Sequence, residues 1–417
     1  MKRLLLSMAA VPLMVGGLSV SASANDGINI LNNVKVKGEI RPRYEYADVK
    51  DNGVDAGNAF TARTHLVVTG GLLGVDGLTA TVGLQGVNNF GYTNYNSTQN
   101  GETTYDKIVD PQAAMLSEAS LDYTLGKTAL HAGRSHVNLD NQRFIGTVGW
   151  RQMERSYDTV YAANSSIKNL SLLAAYVYGF AGVKGTTTAD TNSVLLHANY
   201  KVMKELNITG YGYLLSSIHN TYGLALTGKV DAGAKLSYRA EYAIQKDATL
   251  ETGSAGKPKA DAYYYNLDLG ANISGILAGV NYEVLGANAD YKDDGVTKQN
   301  AFSTPLATGH KFNGWADKFL ATPAGGLQDA NIRLGYKAKG LGKVLAVYHD
   351  FSTVEDMGTK SDLGSEFDAV YVNAIPGFKN LKGLVKYAYY MSGDVKTSTQ
   401  DYTKDVTKGW VQLDYKF

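Results

Sequence analysis

The chain has 417 residues, no cysteine, 46 glycines, 29 tyrosines and only 7 prolines, with 40 basic against 39 acidic side chains. That balance excludes a broad electrostatic affinity for nucleic acid, and the lack of cysteine excludes a disulfide-built fold. Mean hydropathy is −0.20 and no long apolar run follows Ala24, so a bundle of membrane helices is excluded too.

Met1 to Ala24 reads as a secretory signal peptide. Lys2 and Arg3 supply the positive start, Leu4 to Val20 the apolar segment, and Ala22-Ser23-Ala24 the small-residue cleavage site. Cleavage there leaves residues 25–417 as one expected domain, with 38 basic and 39 acidic residues. No cysteine follows the cleavage site, which argues against a lipoprotein. Only Asn25 to Asn33 precedes the first predicted strand, too little for a plug domain.

Residues 34–46 alternate strictly: Val34, Val36, Gly38, Ile40, Pro42 and Tyr44 share one face, Lys35, Lys37, Glu39, Arg41, Arg43 and Glu45 the other. The same period predicts strands at 59–70, 78–88, 116–125, 127–136, 157–164, 170–180, 193–202, 206–216 and 222–229. It continues at 232–246, 262–273, 276–287, 328–338, 342–352, 364–375, 381–391 and 408–417. Short connections (126, 204–205, 230–231, 274–275) alternate with long ones (89–115, 137–156, 247–261, 288–327, 392–407). That rhythm predicts an all-β, transmembrane, antiparallel up-and-down barrel of about 18 strands, with short periplasmic turns and long external loops. In the last strand Val411, Leu413, Tyr415 and Phe417 lie opposite Trp410, Gln412, Asp414 and Lys416. Trp410, Leu413, Tyr415 and Phe417 are read as the barrel-closing signal. Alternating strands that end in Phe resemble those which outer-membrane assembly machinery recognises. That machinery, outer-membrane lipid and lipopolysaccharide are the expected partners, in the outer membrane of a Gram-negative bacterium.

With apolar faces in lipid, Lys35, Lys37, Arg41, Arg43, Arg63, Lys235, Arg239, Arg333, Lys337, Lys382 and Lys386 point inward. Fewer acids face them: Glu39, Glu45, Glu118, Asp122, Glu241 and Asp268. The loops lean acidic, with Asp51, Asp55, Asp106, Asp110, Asp290, Asp293, Asp294, Glu355 and Asp356. A basic bore between acidic rims favours anions. The densest basic cluster runs from His131 to Asp158 and holds Arg134, Arg143, Arg151 and Arg155 among aromatic and amide residues, with Trp150 and Asp158. Forked guanidinium donors beside aromatic rings suit carboxylates and sugar rings. The 137–156 loop is too long for a hairpin turn and is predicted to fold into the bore as a constriction, with Arg63, Arg239 and Arg333 adding to its field. Strict alternation puts Arg134 on the face of Leu130 and Ala132, so pointing it inward requires a bulge.

Gly133-Arg134, Asn141-Gln142-Arg143-Phe144 and Gly149-Trp150-Arg151-Gln152 resemble the alginate-export family of outer-membrane porins. A second resemblance spans 305–336, through His310-Lys311-Phe312-Asn313-Gly314-Trp315-Ala316-Asp317-Lys318-Phe319 and Gly326-Leu327. The resemblance implies a wide monomeric barrel with an Arg-rich constriction partly formed by folded-in loops.

No nucleophile elbow, phosphate loop or His-Glu-x-x-His occurs, so no enzyme and no cofactor is expected. Of the scattered histidines (65, 131, 136, 197, 219, 310, 349), only His349 has an adjacent acid, Asp350. The spacing of Asp290, Asp293 and Asp294 around Gly295 is not that of a calcium loop, and no metal is expected. The expected function is a porin: a passive, anion-preferring channel for small hydrophilic or acidic-sugar solutes. A dedicated exporter of a polyanionic polysaccharide and a non-conducting structural or adhesive barrel are the alternatives.

Overall fold

The computed structural model describes residues 30–185, 188–250, 260–287, 301–357, 360–397 and 400–417. The signal segment Met1 to Ala24 and the acidic tip of Asp290, Asp293 and Asp294 lie outside them. The strands are β1 (Leu31–Val49), β2 (Gly57–Leu72), β3 (Leu78–Asn88), β4 (Ala113–Leu125), β5 (Thr128–Ser135) and β6 (Ser156–Asn164). They continue as β7 (Leu170–Ala181), β8 (Thr188–Met203), β9 (Leu206–Leu215), β10 (His219–Asp231), β11 (Lys235–Lys246) and β12 (Asp261–Ile273). The last are β13 (Ile276–Leu285), β14 (Leu327–Ala338), β15 (Gly342–Met357), β16 (Lys360–Ala374), β17 (Leu381–Met391) and β18 (Val406–Lys416).

Each strand pairs antiparallel with its sequence neighbours, and β1 pairs with β18 from Glu39↔Lys416 to Val49↔Val406. The 18-stranded sheet therefore closes and has no free edge. Phe417 finishes the seam against Gly38. The Gly38 N–H donates to the Phe417 carbonyl at 2.8 Å, and the Phe417 N–H to the Gly38 carbonyl at 3.0 Å. A Cβ on Gly38 would lie 2.1 Å from the Phe417 ring, so any larger residue there must push the ring aside.

The alternation resolves into two faces. Leu66, Val82, Leu84, Leu121, Val160, Leu267, Leu269, Val280, Ile332, Leu334 and Val411 form an exposed aliphatic belt on the outer wall. Rings flank it on both sides: Tyr44, Phe60, Tyr176, Tyr222, Tyr242, Tyr348 and Tyr387 toward the loops, and Tyr200, Tyr336, Tyr371, Tyr415 and Phe417 toward the turns. Two aromatic girdles around an apolar band match the two faces of a bilayer. Among the described residues no helix is long and apolar enough to cross a membrane; the strands do the crossing.

The connection rhythm differs in one respect from the expected strict alternation. On the long-loop side, β9–β10 is joined by 216–218 and β15–β16 by 358–359, as short as the turns on the opposite side. The β9–β10 ladder runs unbroken to His219↔Leu215, and the β15–β16 ladder shifts register after Phe351 and resumes at Met357↔Lys360, so pairing replaces loop at both places. Four long-loop connections matter below: L2 (89–112), L3 (136–155), L7 (286–326) and L9 (392–405).

The buried apolar cluster lies inside the barrel, where L3 and L7 meet the wall. Phe144 of L3 packs against Tyr211, Tyr213, Tyr264 and Phe302, with ring centroids 5.3 to 6.3 Å apart. Phe319 of L7 packs on Phe351 and Tyr402.

Candidate constriction in the barrel lumen

L3 leaves β5 at the wall and crosses the lumen to reach β1 and β2. Backbone bonds join it to L7: Gly146 N–H to the Leu306 carbonyl at 2.8 Å, and Thr308 N–H to the Gln142 carbonyl at 3.0 Å. The two loops thus form one partition across the interior. Its attachment to the wall is ionic and amide-based. Arg143 Nε and Nη2 reach the two Glu283 carboxylate oxygens at 2.8 and 3.1 Å, and Nη2 also donates to Asn313 Oδ1 at 3.0 Å. Arg151 donates to Glu45 of β1 at 3.0 Å and to Asp317 of L7 at 2.8 Å. The Gln152 amide donates to the Arg41 and Thr61 carbonyls and to Thr61 Oγ1.

At the centre Lys386 of β17 is surrounded by Trp150, Trp315 and Trp410, at 4.1, 3.8 and 5.2 Å from their ring centroids. These are the chain's three tryptophans, one each from L3, L7 and β18. Trp150 also stacks on His310 at 4.6 Å and lies under the Arg43 guanidinium at 4.4 Å. A cation held over several indoles gains from each ring quadrupole, and desolvation strengthens the effect. Lys386 Nζ donates to His310 Nε2, and His310 Nδ1 donates to Asp317, both at 2.6 Å. This pattern needs a neutral imidazole protonated on Nδ1. Burial pushes His310 well below its ordinary value; Asp317 opposes the shift, while Lys386 and Arg151 add to it. Burial alone would raise Asp317, but His310, Lys408 and Arg151 outweigh it and hold the carboxyl well below the usual range.

The expected site residues divide into groups. Arg143, Trp150 and Arg151 lie inside the partition, and Arg155 donates to the Gly146 and Pro305 carbonyls at its loop side. Arg63 contacts Glu154 of L3 at 3.1 Å. Arg239 and Arg333 line the lumen below the partition, paired with Glu241 at 2.8 Å and Asp268 at 2.6 Å. Arg134 and Asp158 do not join them. They stand opposite each other in register with no bulge in either β5 ladder, so both share the outward face of Leu130, Ala132 and Val160. There they form a two-point ion pair at 2.7 and 2.8 Å.

The charge sorting also differs from expectation. Asp110 belongs to no rim: L2 folds inward, Asp110 is fully buried, and it sits 3.6 Å from Arg43 while accepting the Gln152 N–H; Asp106 stays at the loop end of β1, buried and accepting from the Val49 N–H at 2.7 Å and Asn52 Nδ2 at 2.6 Å. Glu283, Asp329, Glu366 and Asp368 are further buried wall acids, each at an inward position of its strand. Their parity was readable in β13, β14 and β16. Glu366 and Asp368 accept the Ala316 and Trp315 N–H groups of L7, and Asp329 accepts from Asn313 and contacts His349. His349 and Asp350 point to opposite faces, so the one adjacent His–acid pair is not assembled. Among the described residues, no group of three or more His, Asp or Glu residues could hold a metal ion.

The wall arginines are thus largely neutralised by acids, and the unpaired positive charge lies lower. Lys35, Lys37, Lys201, Lys229, Lys235, Lys337, Lys343 and Lys382 occupy inward positions near the turn end, and none makes an ion pair with a described residue. Lys337 and Lys343 stand directly opposite each other in the ladder. Between this mouth and the partition is a polar cavity of about 400 Å³ against β11 to β15.

Comparison with solved structures adds the fold's relatives. OccAB3 of Acinetobacter baumannii matches with a TM-score of 0.70 at 15% identity, over 92% of this chain and 100% of that one. OccK9 (OpdG) of Pseudomonas aeruginosa matches at 0.69 and 15%, over 92% and 98%. OpdK of Pseudomonas aeruginosa, solved with vanillate, matches at 0.69 and 12%, over 92% and 98%. The fold is that of the Occ and Opd outer-membrane porins. No family model matches the chain, and no curated protein matches it either, so the resemblance to the alginate-export family gains no support from them.

Proposed function

We propose that the chain is an outer-membrane channel through which small hydrophilic solutes diffuse passively, with a preference for anions and acidic sugars. The observation that carries this reading is the ring of unpaired inward lysines at the turn-end mouth, beneath a lumen narrowed by L3 and L7. Confined positive charge raises local anion concentration and repels cations. The Occ and Opd fold supports the channel reading, and the neighbour solved with vanillate, an anion, supports the sign of the preference. The loop motifs that resemble the alginate-export family support an acidic sugar among the solutes. The signal-like leader and the two aromatic girdles support the outer membrane as its location.

The test is the reversal potential of the purified barrel in planar bilayers under a salt gradient. Wild type should be anion-selective, and Lys337→Glu/Lys343→Glu should move the reversal potential toward the cation side. Arg143→Ala/Arg151→Ala should raise conductance by loosening the partition and lower anion preference at the same time. A barrel that carries no current would leave the structural or adhesive reading instead. Unchanged selectivity in the Lys variant would remove the anion preference.

A further inference from the structure

We infer that the cavity under the partition is a saturable binding site for a hexose-sized, polyhydroxylated solute, and more than a widening of the lumen. The inference rests on the channel reading above and names what would pause inside it. The cavity measures about 400 Å³, within the range typical of small-molecule sites. Its wall offers hydrogen-bonding groups that the protein leaves open. Asn266 is 6% exposed, and its amide makes no hydrogen bond to any described residue. Buried polar groups are nearly always satisfied, and leaving one open costs free energy. The open Asn266 amide therefore points to a guest that donates and accepts at fixed spacing, as vicinal hydroxyls do.

The charges narrow the class further. Arg239 and Arg333 already hold Glu241 and Asp268, so the site does not require a strongly charged guest. Lys311 is the cavity's cation without a carboxylate partner among the described residues; its Nζ donates to the Asn141 carbonyl at 2.8 Å. A carboxylate on the ring would find one extra contact there. Trp315 and Phe312 edge the same cavity and offer apolar surface to the C–H groups of a sugar ring. Water could fill these positions as well. A guest of the right shape would displace several waters together, and only such a guest makes the site selective.

The test uses the whole barrel in planar bilayers, with D-glucose, D-glucuronate or glycerol added in turn. Glucose and glucuronate should interrupt the ion current in a way that saturates, whereas glycerol, with no ring to lie against Trp315 and Phe312, should not. Asn266→Leu should weaken both sugar blocks roughly five- to tenfold, each measured against the variant's own sugar-free current. Lys311→Gln should weaken the glucuronate block alone. A block that glycerol reproduces, or that Asn266→Leu leaves unchanged, means ordered water only and overturns the site. If the barrel carries no current, the channel reading fails separately. Tryptophan fluorescence of the detergent-solubilised barrel then decides the site: a saturable glucose response lost in Asn266→Leu supports it, and no response overturns it.

Discussion

Replacing Arg143 by Ala asks whether charge holds the partition in place. Arg143 is 3% exposed and clamps both oxygens of Glu283, which is equally buried. Its removal leaves Glu283 with two donors, the Tyr264 hydroxyl at 2.8 Å and Asn313 Nδ2 at 2.7 Å. Breaking a buried pair from one side costs about 3–5 kcal/mol, because the remaining charge is stranded. The two surviving donors put the expected cost near the lower end, about 3 kcal/mol. The 18-strand ladder is untouched, so the cost should fall on the closed position of L3 and L7. A change of that size raises the open fraction of the loops by roughly a hundredfold. Single-channel recording should show larger mean conductance and more flicker in Arg143→Ala. Arg143→Ala/Glu283→Gln removes the stranded charge and should return much of the way to wild type, with a coupling of at least about 1 kcal/mol in the double-mutant cycle. Purely additive effects, or an Arg143→Ala channel as quiet as wild type, would refute the claim that this ion pair sets the loop position.

Three further outcomes are expected. Deletion of Phe417 should impair closure of β1 on β18, because both of its backbone bonds to Gly38 are lost; normal amounts of folded barrel in heat-modifiable migration on gels would exclude this role. Burial depresses His136 and His310 below 6.5, so the loosened state binds protons more readily; loop stability should be full above about pH 6.5 and decline as acid approaches the depressed values, whereas the lowered Glu154 and Asp317 give way only in stronger acid. A pH-independent urea midpoint for tryptophan fluorescence between about pH 7 and 5 would contradict that sign. Arg134→Ala should leave ion selectivity unchanged, since Arg134 and Asp158 share the outward face, and a shift in reversal potential would show that the pair reaches the lumen.

The barrel was legible in the sequence because a strand between lipid and water must alternate residue by residue. β3 and β17 have the bounds expected, and most other strands differ only by extension into their loops. Inward parity was equally legible, and Arg41, Arg43 and Glu45 point as expected. The balance of lumen charge was not obtained, although Glu283, Asp329, Glu366 and Asp368 stand at readable inward positions. Basic residues cluster along the chain, and these acids are dispersed over three strands. The inward fold of L3 followed from its length and aromatic content. Its partners did not, because Trp150, Trp315, Lys386 and Trp410 are brought together only by closure of the sheet and by L7. Arg134 shows that a strict alternation outweighs the pull of a neighbouring motif: without a bulge, parity fixed its face.

Why the partition is held by ions and amides, when burying apolar residues is the commoner way to fix a loop, follows from its surroundings. A buried ion pair adds little net stability over a well-packed apolar contact, but it penalises every wrong partner heavily. A loop folded into a water-filled barrel has many places to rest, and apolar contacts alone would accept several of them. Arg143 is held by Glu283, Asn313 and Thr304, and Arg151 lies between Glu45 and Asp317. Phe144 then adds apolar packing at a position the charges have already selected. This division of labour leaves the lumen's net field to groups that the loops do not consume. Those are the unpaired lysines at the turn-end mouth, downstream of the narrowing for any solute that arrives from the loop side. An anion leaving the partition would therefore move toward positive potential, and the lysine ring would act on its exit more than on its first capture.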